Sequence, residues 1–318
     1  GDVYKRQYME LFLPSKKWNK EYIFARNQGT GYSDNIHQEK CMAANGMGGW
    51  SGLCPTQELV DAYEMANGST PIIGYNADGT PIINGASGYS ETGFAATAGK
   101  HYPAGVYNMY VGREPRFYAS INFNGQQWRG RQLEFWQGGK DGINVSKVDY
   151  CCTGYLLRKT ADEGVDVING KGGMKEASIL FRVGSLYLDY AEALNEAEGP
   201  VDDVYKYVDA IRKRAGLPGL AKGLDKDKMR ERIQHERQIE LAFEAGHRYF
   251  DCHRWKIAEK TDNGYMHGMN ITATNKVDYS KRSTVGDSRV FEKKHYLFPI
   301  PQSEMDKRIG LVQSPYWE

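Results

Sequence analysis

The sequence lacks both a charge bias and long apolar runs. It has 41 Lys and Arg residues against 40 Asp and Glu, a formal net charge of +1. This balance creates no long-range field that attracts nucleic acid or anionic lipid, so we expect no nucleic-acid partner. No run approaches the ~20 apolar residues that cross a bilayer, and no apolar signal-peptide core is visible. Residues 1–7 connect to no recognisable element, which indicates a non-native segment.

Cysteine is scarce, and its spacing favours neither disulfide bonds nor a metal site. The number of cysteines is odd, two are adjacent and no CxxC occurs, which argues against a disulfide framework or a zinc site. His235-Glu236 begins like the zinc-protease pattern HExxH, but Ile239 stands where the second histidine belongs. We therefore expect no metal and no cofactor, and interpret the cysteines as small buried thiols: Cys41, Cys54, Cys151, Cys152 and Cys252.

Aromatic residues, by contrast, are abundant. The chain contains 22 Tyr, 6 Trp and 11 Phe, together 12% of its residues. Tyr and Trp combine a large apolar face with a polar edge, which suits a flat and wet binding site such as a sugar site. Most of them are expected to pack in the core. Aromatic residues in loops are therefore the ones that point to binding.

The chain changes character near residue 175. Short strands and loops rich in Gly, Asn and Tyr precede this point, and long helical patterns follow it. The elements predicted before it are a strand over 22–25, a loop over 28–52, a helix beginning after Thr56, a loop-rich run over 69–105 with a hairpin turn at Asp78-Gly79, and a hairpin over 116–128.

Three helices are predicted after residue 175. Apolar residues at helical spacing run from Ile179 to Leu194 and from Val204 to Ala215, and Gly199-Pro200 separates the two runs. Two helices joined by a short break form a hairpin of the tetratricopeptide kind. The third helix is predicted over 227–246. One hairpin cannot bury its own apolar face, so we expect it to pack on another part of the protein.

Carboxylates recur every four residues along the third predicted helix, at Glu236, Glu240 and Glu244. A glycosidase needs two carboxyl groups that face one sugar, and this row is the strongest carboxylate cluster in the sequence. Like charges on one helix face repel, so cations must lie beside them. The local candidates for these cations are Arg237, Arg248 and Arg254. Structural ion pairing is the favoured interpretation, because nearby cations keep carboxylates ionised.

Seven segments, taken in order, resemble the conserved motifs of the SusD/RagB family of outer-membrane nutrient-binding proteins. The resemblance covers roughly residues 20–318. It departs from the family pattern at Ala245, which precedes Gly246, at Cys252 in the place of a leucine, and at the ending Gln313-Ser314-Pro315-Tyr316. The segments are PTQELVDAY (55–63), REPRF (113–117), the helix with Arg182, YL and AEA (182–193), IRKRAGL (211–217), ERQIELAFEAGHR (236–248), FDCHRW (250–255) and FPIP (298–301).

The resemblance implies an α-rich (α+β) fold. In it, tetratricopeptide-like helical hairpins pack beside an irregular, loop-rich lobe with short β-hairpins. Residues 1–318 would form one C-terminal region of this fold, with the lobe in 8–175 and the helical part in 176–318. The N-terminal helical half of the family fold would lie outside this sequence.

The resemblance also implies a function. Family members capture oligosaccharides at the cell surface without cleaving them, and deliver them to a SusC-like TonB-dependent outer-membrane transporter. The protein would then be a surface-exposed outer-membrane lipoprotein, held by a lipidated N-terminal cysteine that this sequence does not contain. The well-matched motifs are expected to be structural or to face a partner, and sugar contacts are expected in the loops.

Sugar rings present C–H faces that pack on Trp or Tyr, while polar side chains bind the hydroxyl groups. The candidate ligand-binding residues are loop aromatics with two polar neighbours: Trp50, Tyr75, Asn76, Asp78, Tyr89, Tyr102 and Trp136. Two alternatives remain open at this point. One is a glycoside hydrolase, and the other is a tetratricopeptide-type scaffold that binds only protein.

Overall fold

The computed structural model of the chain describes residues 3–13, 19–27, 32–143, 148–171, 177–244, 246–307 and 309–317. Its helices are α1 (Val3–Glu10), α2 (Tyr32–Met42), α3 (Gln57–Ala62), α4 (Pro115–Ser120), α5 (Val183–Glu198), α6 (Asp202–Arg214), α7 (Lys226–Glu240), α8 (His247–Arg254), α9 (Ala258–Thr261), α10 (Lys276–Tyr279) and α11 (Gln302–Met305). None of the helices in these ranges has the length and apolar character needed to cross a membrane.

The strands are short and pair in twos. They are β1 (Tyr22–Asn27), β2 (Ile72–Tyr75), β3 (Pro81–Ile83), β4 (Ile121–Phe123), β5 (Gln127–Trp128), β6 (Arg131–Gln132), β7 (Tyr155–Leu157), β8 (Ala177–Arg182), β9 (Gly264–Met269) and β10 (Arg282–Arg289). The antiparallel pairs are β1 with β8, β2 with β3, β4 with β7, β5 with β6, and β9 with β10. The predicted α-rich fold with short β-hairpins is confirmed.

The largest core fills the lobe before residue 175 and is rich in aromatic side chains. Tyr110 and Phe123 lie with their ring centroids 4.4 Å apart, and Phe117 stacks on Phe123 at 5.4 Å. Trp128 and Tyr155 are buried in the same cluster. Aromatic packing of this kind contributes beyond the area it buries. Among the described residues, twelve aromatic side chains are buried and eleven others are exposed, so core packing accounts for only part of the aromatic content.

The helical part has a smaller core of its own. Ala191 of α5, Val204 and Val208 of α6, and Met229 and Ile233 of α7 are buried together. The predicted α5–α6 hairpin is present, with its break at Gly199, whose φ of 83° suits glycine. The third helix therefore covers part of the apolar face that the hairpin cannot bury alone.

The hairpin predicted over 116–128 is wrong. Pro115 occupies the first turn of α4, a position that its fixed φ favours. All six residues of this helix are buried. The alternation of apolar and polar residue types therefore does not mark a buried and an exposed face, and it does not distinguish a helix from a strand. The strand that follows, β4, pairs with the distant β7 and not with its neighbour along the chain.

Three other boundaries differ from the predictions. The interval 28–52, predicted as a loop, contains α2, while residues 28–31 lie outside the described ranges. Ile179 belongs to β8, and α5 begins after it, at Val183. The third helix ends at Glu240, and Phe243 adopts a left-handed φ of 64°, so Glu244 lies beyond the helix.

Glu236 and Glu240 lie in the centre of a buried ion-pair network. Arg116 Nη1 donates to Glu236 Oε1 at 2.6 Å and to Glu240 Oε2 at 3.0 Å. Arg212 Nη1 donates to Glu236 Oε2 at 3.1 Å, and Arg182 Nη1 donates to Glu240 Oε1 at 2.9 Å. These side chains are at most 2% exposed. Structural ion pairing of this row is confirmed, since a sugar cannot reach groups buried to this degree.

The predicted partners of these carboxylates were the wrong cations. Arg237 and Arg254 instead bind Asp251, with Nε–oxygen distances of 2.9 Å, and Arg248 lies in α8. The arginines that do pair with the row come from α4, β8 and α6, which are distant in sequence. Local helix spacing carries no information about such partners.

Removing one carboxylate from this network should destabilise the fold. We expect Glu240→Gln to lower the free energy of unfolding by about 3–5 kcal/mol, because it leaves buried guanidinium groups without compensation. Denaturant unfolding followed by circular dichroism measures this. Glu231→Gln, at an exposed position of the same helix, should change the value by less than about 0.5 kcal/mol. Similar losses in the two variants would contradict the role assigned to the network.

Acid should also destabilise the fold. Burial alone would raise the pKa of Glu64, Glu240 and Glu244, but nearby cations hold each pKa below its ordinary value. A depressed folded-state pKa stabilises the fold above the unfolded value of about 4.3, and this stabilisation is lost as the pH falls through the folded values. Glu114, whose pKa is raised by burial, acts in the opposite sense. Scanning calorimetry should therefore show a Tm that decreases below about pH 4. A constant Tm there would argue against the network.

Candidate functional site

Tyr75 presents the most accessible ring among the predicted tyrosines. It ends β2 opposite Pro81 in β3, and 47% of it is exposed. Its hydroxyl donates a hydrogen bond of 2.7 Å to Asp61 Oδ2 of α3. Burial of the hydroxyl and the Asp61 carboxylate both raise the pKa of Tyr75, so the hydroxyl remains a donor at neutral pH. One end of the ring is thus fixed, and the rest meets solvent.

Arg282 connects the support of Tyr75 to a second loop. Its Nη1 and Nη2 donate to the two oxygens of Asp61 at 2.7 and 2.8 Å. Its Nε donates to Glu91 Oε2 at 3.0 Å, and its Nη2 also pairs with Glu91 Oε1. Arg282 opens β10, so this single guanidinium joins α3, the β9–β10 hairpin and the loop after β3.

Glu91 organises that loop further. Tyr89 Oη donates to Glu91 Oε1 at 2.7 Å, and the hydroxyl of Tyr107 donates to the Glu91 carbonyl. Burial and the Glu91 carboxylate raise the pKa of Tyr107 to about 12. Tyr89 is only 6% exposed, and Arg113 lies 5.3 Å from its ring centroid. Its position therefore suits support of the site better than stacking on a ligand.

Asn76 and Asp78 lie in the turn of the β2–β3 hairpin, beside Tyr75. Both are exposed. Asn76 Nδ2 donates to Thr80 Oγ1 at 2.9 Å, and Asp78 Oδ1 accepts from the Thr80 amide at 3.0 Å. We use the name Tyr75 face for the surface formed by Tyr75, Asn76 and Asp78. Its aromatic ring and adjacent polar groups have the composition that a sugar ring requires.

A further ion pair borders the turn of this hairpin. His267 Nδ1 lies 2.6 Å from Glu58 Oε1. The imidazole also lies close to Gly79 in the hairpin turn, because its Nε2 is 3.5 Å from the point where a Cβ atom added to Gly79 would lie. Glu58 is on α3, one turn before Asp61. The tip of the hairpin is therefore held close to the β9–β10 hairpin as well.

The two candidate tryptophans, Trp50 and Trp136, lie on two loops that contact each other. Neither loop belongs to the β2–β3 hairpin that carries Tyr75. Trp50 is 37% exposed and stacks on His37 with a centroid distance of 5.4 Å. Trp136 is half-buried and packs against the main core. Asn45 Nδ2 donates to the Gly142 carbonyl at 3.1 Å, which joins the loops that carry the two rings. Among the described residues, no ring contact links Trp50 to Trp136.

Tyr102 lines a separate cavity of about 320 Å³. Its ring stacks on Tyr118 with a centroid distance of 6.2 Å, and His101 lies on the same wall. The candidate residues thus divide into groups. The structure brings together Tyr75, Asn76, Asp78 and Tyr89, while Tyr102 and the two tryptophans lie on other parts of the lobe.

Sequence reasoning missed the charged residues that support the Tyr75 face. Asp61 falls within the segment PTQELVDAY, which was expected to be structural, and it is 3% exposed. Glu91 and Arg282 carry no recognisable motif. The structure shows both carboxylates bound to one guanidinium, an arrangement that holds loops in place. Within the described ranges, no group of three or more His, Cys, Asp or Glu side chains is arranged to hold a metal ion.

Comparison with known proteins gives consistent matches. The sequence model of the SusD family matches residues 15–317. The chain is 42% identical to SusD-like protein P25 of Formosa agariphila over 82 residues, which cover 25% of this chain and 15% of that protein. It is 29% identical to SusD-like protein P2 of the same bacterium over 154 residues, 45% of this chain and 26% of that one.

A solved structure extends these matches to nearly the whole chain. The crystal structure of a SusD-like protein from Bacteroides fragilis superposes with a TM-score of 0.73 and 28% identity. The match covers 99% of this chain and 58% of the other. The chain thus spans less than two thirds of the length of these relatives.

The Arg282 cross-link should control the order of the loop that carries Glu91. We expect Arg282→Met to increase amide hydrogen exchange across residues 84–107, because Glu91 loses the cation that joins it to α3. Mass spectrometry of peptides after exchange measures this. Lys281→Met, which removes a neighbouring exposed cation paired with Asp278, should leave the exchange unchanged. An unaltered loop in the Arg282 variant would show that other contacts hold it.

Proposed function

The chain belongs to the SusD family, and from this premise we propose that it binds oligosaccharides on the Tyr75 face without cleaving them. The observation that carries the proposal is a half-exposed tyrosine ring whose hydroxyl is fixed by Asp61. A ring that is already oriented loses little conformational freedom when a sugar packs on it. Asn76 and Asp78 stand beside it to bind sugar hydroxyl groups.

The contacts of the carboxylates support binding over hydrolysis. A glycosidase needs an acid and a second carboxylate that both reach the sugar. Glu236 and Glu240 are buried among arginines, and Asp61 and Glu91 are both bonded to Arg282. Carboxylates that are buried or held by a guanidinium in this way are not placed to reach a glycosidic bond together. Hydrolysis of a bound oligosaccharide, detected by chromatography of the sugars after incubation, would contradict this part of the proposal.

We further propose that the complete protein delivers its ligand to a SusC-like TonB-dependent transporter at the outer membrane, where a lipid anchor holds it at the cell surface. The support for this part is family membership. Co-purification from membranes that contain such a transporter tests it directly. Recovery of the protein without any transporter, under conditions that preserve other outer-membrane complexes, would argue against it.

Substitutions at Tyr75 test the binding site. In titration calorimetry against a panel of oligosaccharides, we expect Tyr75→Ala to weaken binding by roughly tenfold or more, since truncating an aromatic side chain at the centre of a binding surface costs on the order of 1.4 kcal/mol or more. Tyr75→Phe keeps the ring but loses the bond to Asp61, so it should weaken binding less.

Tyr190→Ala provides the matched control. Tyr190 lies on α5 with 44% exposure, close to that of Tyr75, and it packs on Tyr207 in the helical part. The control should bind like the unaltered protein. Equal affinities of the Tyr75→Ala variant and the control would place the site elsewhere, with the loops of Trp50 and Trp136 as the next candidates. Absence of binding to every glycan in the panel would contradict the proposed function.

A further inference from the structure

The charges that border the Tyr75 face are mainly negative. Glu58 is 38% exposed in its side chain, and Asp78 is exposed in the hairpin turn. Asp61 and Glu91 lie below, with side-chain exposures of 3% and 16%. One cation, Arg282, is bonded to both of these lower carboxylates. The guanidinium of Arg282 contacts two of these four carboxylates, while Glu58 is bonded to His267 and Asp78 to Thr80.

Other cations on the elements around this surface have contacts of their own, and Lys281, next to Arg282 in the chain, pairs with Asp278. Arg113 is buried beneath Tyr89 and donates to the carbonyls of Met109 and Tyr63. Lys276 lies over the ring of Phe94, at 5.0 Å from its centroid. His267 is already bonded to Glu58.

The hydroxyl of Tyr75 experiences the same imbalance. Burial raises the pKa of this hydroxyl most, and the charges of Asp61 and Glu58 raise it further. The charge of Arg282 lowers the pKa, but by less than burial and Asp61 raise it. The carboxylates closest to solvent are also those without an arginine partner among the described ion pairs, Glu58 and Asp78.

We infer that the Tyr75 face selects neutral glycans and rejects those that carry uronate or sulfate groups. This inference rests on the proposed function and adds the class of ligand to it. Discrimination arises from repulsion of the unwanted ligand, because an anionic substituent beside Tyr75 would approach Glu58 or Asp78, and neither carboxylate has an arginine or lysine partner among the described ion pairs. A neutral sugar instead offers hydroxyl groups that can donate to these carboxylates.

The test compares one glycan in two charge states. The oligosaccharide of the panel that binds most tightly is oxidised at its primary hydroxyl groups to uronate, and part of the product is converted to the neutral methyl ester. We expect the uronate form to bind at least about tenfold more weakly than the ester. Added salt should reduce this difference, because it screens exposed charges.

Variants assign the effect to the named carboxylates. The double variant Glu58→Gln, Asp78→Asn keeps one accepting oxygen on each side chain but removes both charges, and it should reduce the difference between uronate and ester to about threefold or less. Glu231→Gln, which removes an exposed carboxylate from α7, should leave the difference unchanged. A difference that persists in the double variant would overturn the inference.

The outcomes separate this inference from the proposed function. If the tightest ligand of the panel is itself acidic, or if uronate and ester bind equally to the unaltered protein, charge selection is wrong while binding at Tyr75 stands. If no neutral or acidic glycan binds at all, the proposed function fails and the inference fails with it. Weak binding of the ester as well as the uronate would show that the lost hydroxyl, and not the charge, is responsible, which also overturns the inference.

Discussion

The rest of the structure depends on the burial of two glutamates of α7 among arginines from distant parts of the chain. Placing ionised carboxylates in a protein interior is costly unless cations and hydrogen bonds compensate them fully. Here Arg116 of α4, Arg182 of β8 and Arg212 of α6 meet Glu236 and Glu240. These pairs join α4 of the lobe and β8 to the helices α6 and α7. The network fixes orientation, while the apolar and aromatic cores supply the bulk of the hydrophobic stabilisation.

A second, smaller network of carboxylates paired with arginine supports the Tyr75 face. Arg282 holds Asp61 and Glu91, and through them Tyr75 and Tyr89. The two networks differ in their access to solvent. The first is buried and serves the architecture, whereas the second lies near the surface and leaves one aromatic ring half exposed. This half-exposed ring ends strand β2 of the β2–β3 hairpin and is held by charged residues from α3, the loop after β3 and β10.

Much of the fold could be predicted, because local patterns report local structure. The helices of the α5–α6 hairpin and the β2–β3 turn follow from apolar spacing and from Asp78-Gly79. The α4 segment was misread as a strand because every residue in it is buried, which erases the contrast between faces. The site was predicted in part. Tyr75 was found as a loop aromatic, but its supports lie 14 and 221 residues from their partners along the chain, beyond any motif.

The sequence by itself determined the family, the order of the helices and the exclusion of a zinc-protease motif, because these depend on residue types at fixed spacing. Only the tertiary structure decided which cations neutralise the glutamates of α7, where that helix ends, and which loop aromatics share a surface. The physical reason is that charge pairing and ring accessibility depend on distances through space between segments far apart in the chain. The same residues would form a catalytic pair or a structural one according to their burial alone, and burial is a property of the folded chain.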